Sequence, residues 1–336
     1  MNYQEFLNYI KENFLDFFIP FQKKRVCQGE MTSEWKEKDM DDYVIEIHQV
    51  IKNNGVKLDG LVIRKKQEYV SPNIYLNSYF EMYQMGMPIN SIMEELAKQY
   101  MAIRKKEEIK IHNILDFNEV KNHIIIRLVN YEKNRELLMN SPYKRFLDLA
   151  VTFRYMANHT ADGLASSLIG NDEFLNWGID EEELYRIALF NTMREFPWHM
   201  ESLAKIIINC LKKSIPQEEQ DGFDLEELER EQDHINMFVL SNESALNGAS
   251  CMLYDSVIRN FAKVQGKNII ILPSSIHEVI LVPEQEDTDI EFLQNLVIDA
   301  NKSAVGLIDL LSDSIYYYQL EKDEITIYGK SITSQN

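Results

Sequence analysis

Apolar side chains recur at helical spacing from the first turn of the chain. Phe6, Ile10, Phe14 and Phe17 share one face of a helix predicted over 3–18, while Glu5, Lys11, Glu12 and Asp16 occupy the rest. A mixed polar segment follows over 22–42. Lys57–Lys65 (KLDGLVIRK) reads as a strand entered through the turn Asn53-Asn54-Gly55. An extended piece ends at Ser71-Pro72, and a helix is predicted over 74–85. A further helix runs from about 90 to 103, with Ser91-x-x-Glu94 as a capping pattern at its start. Val120, Ile124, Leu128 and Tyr131 keep helical spacing, so 118–132 is read as a helix despite its isoleucine-rich centre.

Beyond this point the periodicity changes. Leu147, Leu149, Val151, Phe153 and Tyr155 alternate with Asp148, Thr152 and Arg154, the mark of a half-buried strand, and 163–169 is placed to pair with it across a turn at 158–162. Asp180 followed by three glutamates suits a helix start, whose buried face would carry Leu184, Ile187, Ala188 and Met193. The stretch 214–234 is dense in Glu, Asp and Gln and reads as a solvated linker or a charged surface helix. After it come a strand at 236–240, a helix at 248–264, strands at 268–272 and 276–282, a helix at 288–302 opened by Thr288-x-x-Glu291, and a terminal hairpin turning at 321–323. The predicted class is α+β: a mixed, mainly antiparallel sheet with helices packed on one face, plus a largely helical N-terminal region. The crossover from 236–240 to 268–272 is long enough for one parallel pairing. The expected division is a mainly helical part over 1–135 and an α+β domain over 136–330.

Composition narrows the function classes. A net charge of −19 over 336 residues repels phosphate backbones, which argues against direct binding of nucleic acid. The one dense basic run, Arg104-Lys105-Lys106, falls at a predicted helix end, where cations complement the dipole. Three widely separated cysteines, Cys27, Cys210 and Cys251, give neither a disulfide framework nor a zinc motif, and point to a reducing cytoplasm. No apolar run is long enough for a membrane span. No two of the seven histidines are two to four residues apart, so no metal or other cofactor is expected.

Three stretches carry candidate chemistry. In Leu272-Pro273-Ser274-Ser275-Ile276-His277-Glu278, a serine hydroxyl, an imidazole and a carboxylate lie inside an apolar element. Ser274 or Ser275 would be the nucleophile and His277 its base. On an extended chain Ser275 and His277 share a face and Glu278 points away, so the acid would be Glu243, Asp255 or Asp313. The bland reading makes Pro-Ser-Ser a turn whose hydroxyls satisfy backbone groups. In the second stretch, Glu243, Asn247 and Gly248 stand where a strand gives way to a helix; free N–H groups there suit an anion, but Glu243 opposes one, and Asn247 equally reads as a helix cap. The third is the soft run Tyr79-Phe80-Glu81-Met82-Tyr83-Gln84-Met85-Gly86-Met87, which serves either as internal packing or as an adaptable binding surface centred on Met82 and Met85.

Val70–Leu76 with Tyr79, Trp177–Leu184 with Ala188 and Asn191, and Leu272–Val279 together resemble an uncharacterised bacterial domain-of-unknown-function family of similar length, the LPSSIHE motif being its signature. The middle stretch more loosely resembles the YtpQ-like family. The resemblance implies a cytoplasmic bacterial protein, carried on mobile elements, and brings no catalytic residues with it. The leading expectation is a non-enzymatic accessory protein that binds a protein or peptide. A serine hydrolase built on Ser275 and His277, and an acidic antagonist of a nucleic-acid-binding protein, stand as alternatives.

Overall fold

A computed structural model of the chain describes residues 1–27, 43–66, 73–106, 113–160, 163–214 and 236–329. The chain divides into two compact units, one of Met1–Lys52 and Val56–Ile111, the other of Asn53–Gly55 and His112–Asn336. Within the segment expected as a helix over 118–132, residues 124–130 form a sheet strand of the second unit.

The first unit builds on helix α1 (Tyr3–Cys27), strands β1 (Tyr43–Ile51), β2 (Lys57–Lys65) and β3 (Asn73–Tyr75), and helices α2 (Asn77–Gln84) and α3 (Ile89–Lys106). Phe6, Ile10 and Phe14 are fully buried as their spacing predicts, and Phe18, four residues on, continues the stripe in preference to Phe17. Phe14 stacks on Phe18 with ring centroids 5.4 Å apart, and Phe18 meets Tyr100 of α3 edge-on at 5.3 Å. β2 occupies the predicted residues and pairs along its whole length with β1, an unforeseen strand. Ile74 lies in β3, so α2 starts three residues later than predicted; Ser71 and Pro72 lie outside the described residues. Helix α3 begins at Ile89, where the Ser91 N–H donates to Pro88 O, which places Ser91 inside the helix and not at its cap.

In the second unit, single-turn helices α4 (Phe117–Val120) and α5 (Arg135–Leu138) flank strand β4 (Ile124–Asn130). β4 joins β5 (Tyr143–Phe146), β6 (Leu149–Thr160) and β7 (Gly163–Leu168) in one sheet. The Ile124–Leu128 spacing of four satisfies a strand's period of two as well as a helix's, and the β-branched run Ile124-Ile125-Ile126 decides for the strand. β6 and β7 pair as predicted, from Thr160↔Gly163 back to Arg154↔Leu168, but 158–160, expected in the turn, belong to the strand. Leu147, expected in the strand, sits in the β5–β6 turn with φ 55°.

Helices α6 (Asn171–Trp177) and α7 (Glu181–Glu195) follow, and Asp180 caps α7 by accepting the Glu183 N–H at 2.8 Å. Leu184, Ala188, Asn191 and Thr192 form the buried face of α7; Met193 is exposed. Then come β8 (Trp198–Ser202), α8 (Leu203–Ser214), β9 (Phe238–Asn242), α9 (Val257–Gln265), β10 (Ile269–Leu272), β11 (Val279–Pro283), α10 (Ile290–Ser303), β12 (Tyr316–Gln319) and β13 (Glu324–Ile327). The expected acidic stretch lies, from 215 to 234, outside the described residues.

The second sheet of this unit has the order β13-β12-β10-β11-β9-β8. The α+β class holds, but every pairing among the described strands is antiparallel. The predicted parallel neighbour of β10 is absent because β9 pairs with β11 instead. Both faces of the sheet are covered, where one was expected. Ile269, Ile271, Val279 and Leu281 join the main core with α7, α9 and β4, while Ile270, Leu272 and Val282 pack against Leu293 and Val297 of α10. Asp289, not Thr288, caps α10 through the Phe292 N–H at 2.9 Å, and Thr288 Oγ1 takes the N–H of Gln285. Among the described residues, no helix is long and apolar enough to cross a membrane.

Candidate functional site

The connection Pro273–Glu278 between β10 and β11 is held by a second extended piece, 309–312. Ile276 N–H donates to Asp309 O at 2.8 Å, Leu311 N–H to Ser274 O at 2.9 Å and Ser312 N–H to Pro273 O at 2.9 Å. Pro273, Ser275 and Ile276 are buried; Ser274, His277 and Glu278 are partly exposed. The second piece is fixed in turn by asparagine side chains. Asn53 donates to Ile308 O, Asn54 to Leu307 O and Leu310 O, and Asn130 to Leu311 O, all within 2.7–3.0 Å. Such bonds satisfy carbonyls of an irregular segment that its short pairing with 273–276 leaves without a partner.

His277 is engaged at both ring nitrogens. Its Nδ1 lies 3.3 Å from the backbone nitrogen of Asn247, and its Nε2 lies 3.3 Å from Asp309 Oδ1. A backbone N–H only donates, so Nδ1 is the bare nitrogen, and the ring proton sits on Nε2 facing the carboxylate. The acid beside the imidazole is therefore Asp309, not one of the three expected. Glu243 and Asp255 are exposed, and Asp313 meets Asn301 at 2.7 Å and Lys133 at 3.4 Å. Ser275 Oγ accepts the backbone N–H of His277 at 3.0 Å, a local serine turn, and makes no hydrogen bond to an imidazole among the described residues. Of the four residues considered for catalysis, then, Ser275 and His277 are brought together through the backbone only, while Ser274 contributes its carbonyl and Glu278 has no role in this cluster.

The second candidate stretch closes over the same histidine. Asn247 has φ 54° and makes no side-chain cap; its backbone N–H goes to His277. The helix at 248–264 is two pieces, a 3-10 helix at Gly248–Leu253 and α9. Ala249 N–H donates to Ile276 O and Ser250 N–H to Asn247 O, so these donors are taken. Gly248 is required by close approach: a Cβ there would lie 2.2 Å from Ser241 Oγ, 2.5 Å from His277 O and 2.8 Å from Asn242 N. Ser241 Oγ donates to that same His277 carbonyl at 2.8 Å. Nearby, burial pushes the Cys251 thiol up to about 12, which leaves it protonated and unreactive at neutral pH. Among the described residues, no group of three or more His, Cys, Asp or Glu is placed to hold a metal.

The third stretch is divided between core and surface. Tyr79 is buried and its hydroxyl donates to Gln99 Oε1, while Phe80 packs against the core of the first unit. Met82, Met85 and Met87 are exposed by 38%, 86% and 38%. They stand on the turn that ends α2: Met87 N–H bonds to Met82 O and Gly86 N–H to Tyr83 O, with Gly86 at φ 98°. This is a Schellman arrangement, which sets the residues at its two ends, here Met82 and Met87, side by side.

Two charged residues of the second unit escaped the sequence. Asp309 is a lone carboxylate in the apolar run 304–311, and Arg127 a lone charge in the apolar run 124–129; a charge interrupting a run of buried positions was the available signal. In comparisons with known proteins, no curated protein and no solved structure matches this chain. A protein-family comparison matches residues 3–320, nearly the whole length, to a family of unknown function (DUF5688). The chain belongs to that family.

Proposed function

We propose that this protein acts by binding another protein, taking a basic, amphipathic peptide segment of its partner on the methionine turn at the end of α2. The observation that carries the reading is the exposure of Met82, Met85 and Met87 together on one ordered turn. Methionine is flexible and polarisable, so such a surface adapts to apolar partners of varied shape. The exposed Glu81 beside it and the net charge of −19 favour a cationic partner. The reading also agrees with the His277 cluster, whose polar groups are spent on holding backbone segments.

The test is affinity capture from the native host, followed by calorimetric titration of the purified protein with each identified partner. The double variant Met82→Ser/Met85→Ser should weaken binding at least tenfold with an unchanged melting temperature, and the partner's contact segment should be basic. Unchanged affinity in the double variant, or an acidic contact segment, would contradict the reading.

A further inference from the structure

Arg127 lies on the face of the sheet of β4, β5, β6 and β7 that turns away from the main core. Its strand neighbours Ile126 and Leu128 enter that core, whereas Ile125 and Val129, on Arg127's own face, belong to separate small clusters. Across the sheet the rung runs Arg127–Thr152–Tyr143, and the next runs Val129–Ala150–Arg145. Thr152 Oγ1 is occupied by the Arg127 carbonyl at 2.9 Å. On the adjoining rung the guanidinium of Arg145 lies 3.4 Å from the Tyr131 ring centre, and that of Arg135 lies 4.1 Å from it. Each of the neighbouring arginines is engaged: Arg145 with Leu147 O, Arg135 with Glu132 and Tyr131, Arg154 with Ser166.

Arg127 is the exception. Its Nε is buried and has no hydrogen-bond partner, and no side-chain hydrogen bond or ion pair of its guanidinium exists among the described residues. Burial works against its charge; the carboxylate of Asp309 supports it from a distance, without pairing, because that carboxylate faces His277. A buried Nε–H with no acceptor costs free energy unless one meets it, and Arg127 as a whole is only part-buried, so a ligand from solvent can reach its guanidinium. Its planar fork fits the oxygens of a carboxylate or phosphate better than any other common group.

We infer that Arg127 anchors an oxyanion-binding site, taking the carboxylate or phosphate group of a small ligand, with Tyr143 and Arg145 at its rim. This site is independent of the methionine turn and would stand if that surface bound nothing. It also explains a cationic, aromatic face on a strongly acidic chain.

The experiment titrates the full chain with inorganic phosphate and, separately, acetate, at constant ionic strength set by chloride. Calorimetry and the Arg127 Nε–H resonance are followed together. Saturable binding of at least one anion that moves this resonance is expected, with phosphate and acetate telling the two group classes apart. Arg127→Gln should lose at least tenfold in affinity, and Arg127→Lys, which keeps the charge without the fork, should also bind more weakly. Should Arg127→Gln not fold, the resonance and Arg127→Lys decide. No binding of either anion to the wild type, an unmoved Nε–H resonance, or equal affinity in the Arg127 variants would overturn the inference.

Discussion

Asp309 Oδ1 lies 3.3 Å from Nε2 of His277, 32 positions earlier in the chain. The contact ties the β10–β11 connection to the 309–312 piece through side chains, where the backbone already joins them. Both side chains are partly exposed, at 31% for His277 and 40% for Asp309, so solvent screens the pair and its contribution is modest. Asp309→Asn keeps an oxygen acceptor for Nε2 and should lower unfolding free energy by less than about 1 kcal/mol, whereas His277→Ala also strands the Asn247 N–H and should cost about 1–2 kcal/mol. Urea denaturation of the two variants checks the order.

Ser275 is 5% exposed, and its oxygen is held by the His277 backbone N–H. A fluorophosphonate probe, which needs an accessible serine activated by a base, should leave Ser275 unlabelled. Intact-mass measurement after exposure reads the result; labelling at Ser275 would restore the hydrolase reading.

Gly248→Ala should be the most damaging small substitution in the cluster. The added methyl meets a carbonyl oxygen at 2.5 Å and a backbone nitrogen at 2.8 Å, neither of which can swing away. A cost of about 2–4 kcal/mol is expected. Removing the nearest obstacle as well, in Gly248→Ala/Ser241→Ala, should recover little, because the backbone atoms stay in place. Denaturant midpoints of the single and double variants test this.

Asp148 gathers three hydroxyl donors: Ser312 Oγ at 2.7 Å, Ser314 Oγ at 2.9 Å and Tyr316 OH at 2.5 Å. Asp148→Ala leaves three largely buried donors without their acceptor and should cost about 3–5 kcal/mol. Tyr316→Phe, which removes one donor and keeps the ring in the core, should cost about 1–2 kcal/mol. Thermal unfolding of both variants checks the ratio.

Much of the fold was legible. The α1 stripe, β2, the β6–β7 hairpin and the Asp180 cap follow from local rules, and each is present. β4 is not legible as a strand because Val120, Ile124 and Leu128 are four apart, a step that fits both periods. The expected parallel pairing does not form, because a crossover length permits a topology without selecting it; β9 pairs with β11. The candidate site was legible only in its residue types. Asn247 and Asp309 approach His277 from 30 and 32 residues away, so no spacing rule reveals them. Gly248 could be flagged for close approach, but what approaches it depends on Ser241 and on a carbonyl from a different strand connection.

Alkaline conditions should destabilise the fold in a defined window. Burial pushes the Cys251 thiol up to about 12 from an ordinary value of 9.0, and burial with the Glu284 hydrogen bond pushes Tyr317 up to about 12 from 10.0. Both folded-state values are raised, so the stability they contribute is fully present below about 9 to 10. It is lost as the pH rises towards about 12, because the unfolded chain releases those protons first. Denaturation midpoints measured across this range should fall with pH, and Tyr317→Phe should flatten the fall.

His277 is a clamp, with Nδ1 bare against the Asn247 N–H and the proton on Nε2 facing Asp309. Long-range nitrogen–proton correlation NMR of the histidine ring reads this directly. A single tautomer protonated at Nε2, converted to a mixture by Asp309→Ala, is the predicted result. A proton on Nδ1 in the wild-type protein, or a ring exchanging freely between tautomers, would contradict it.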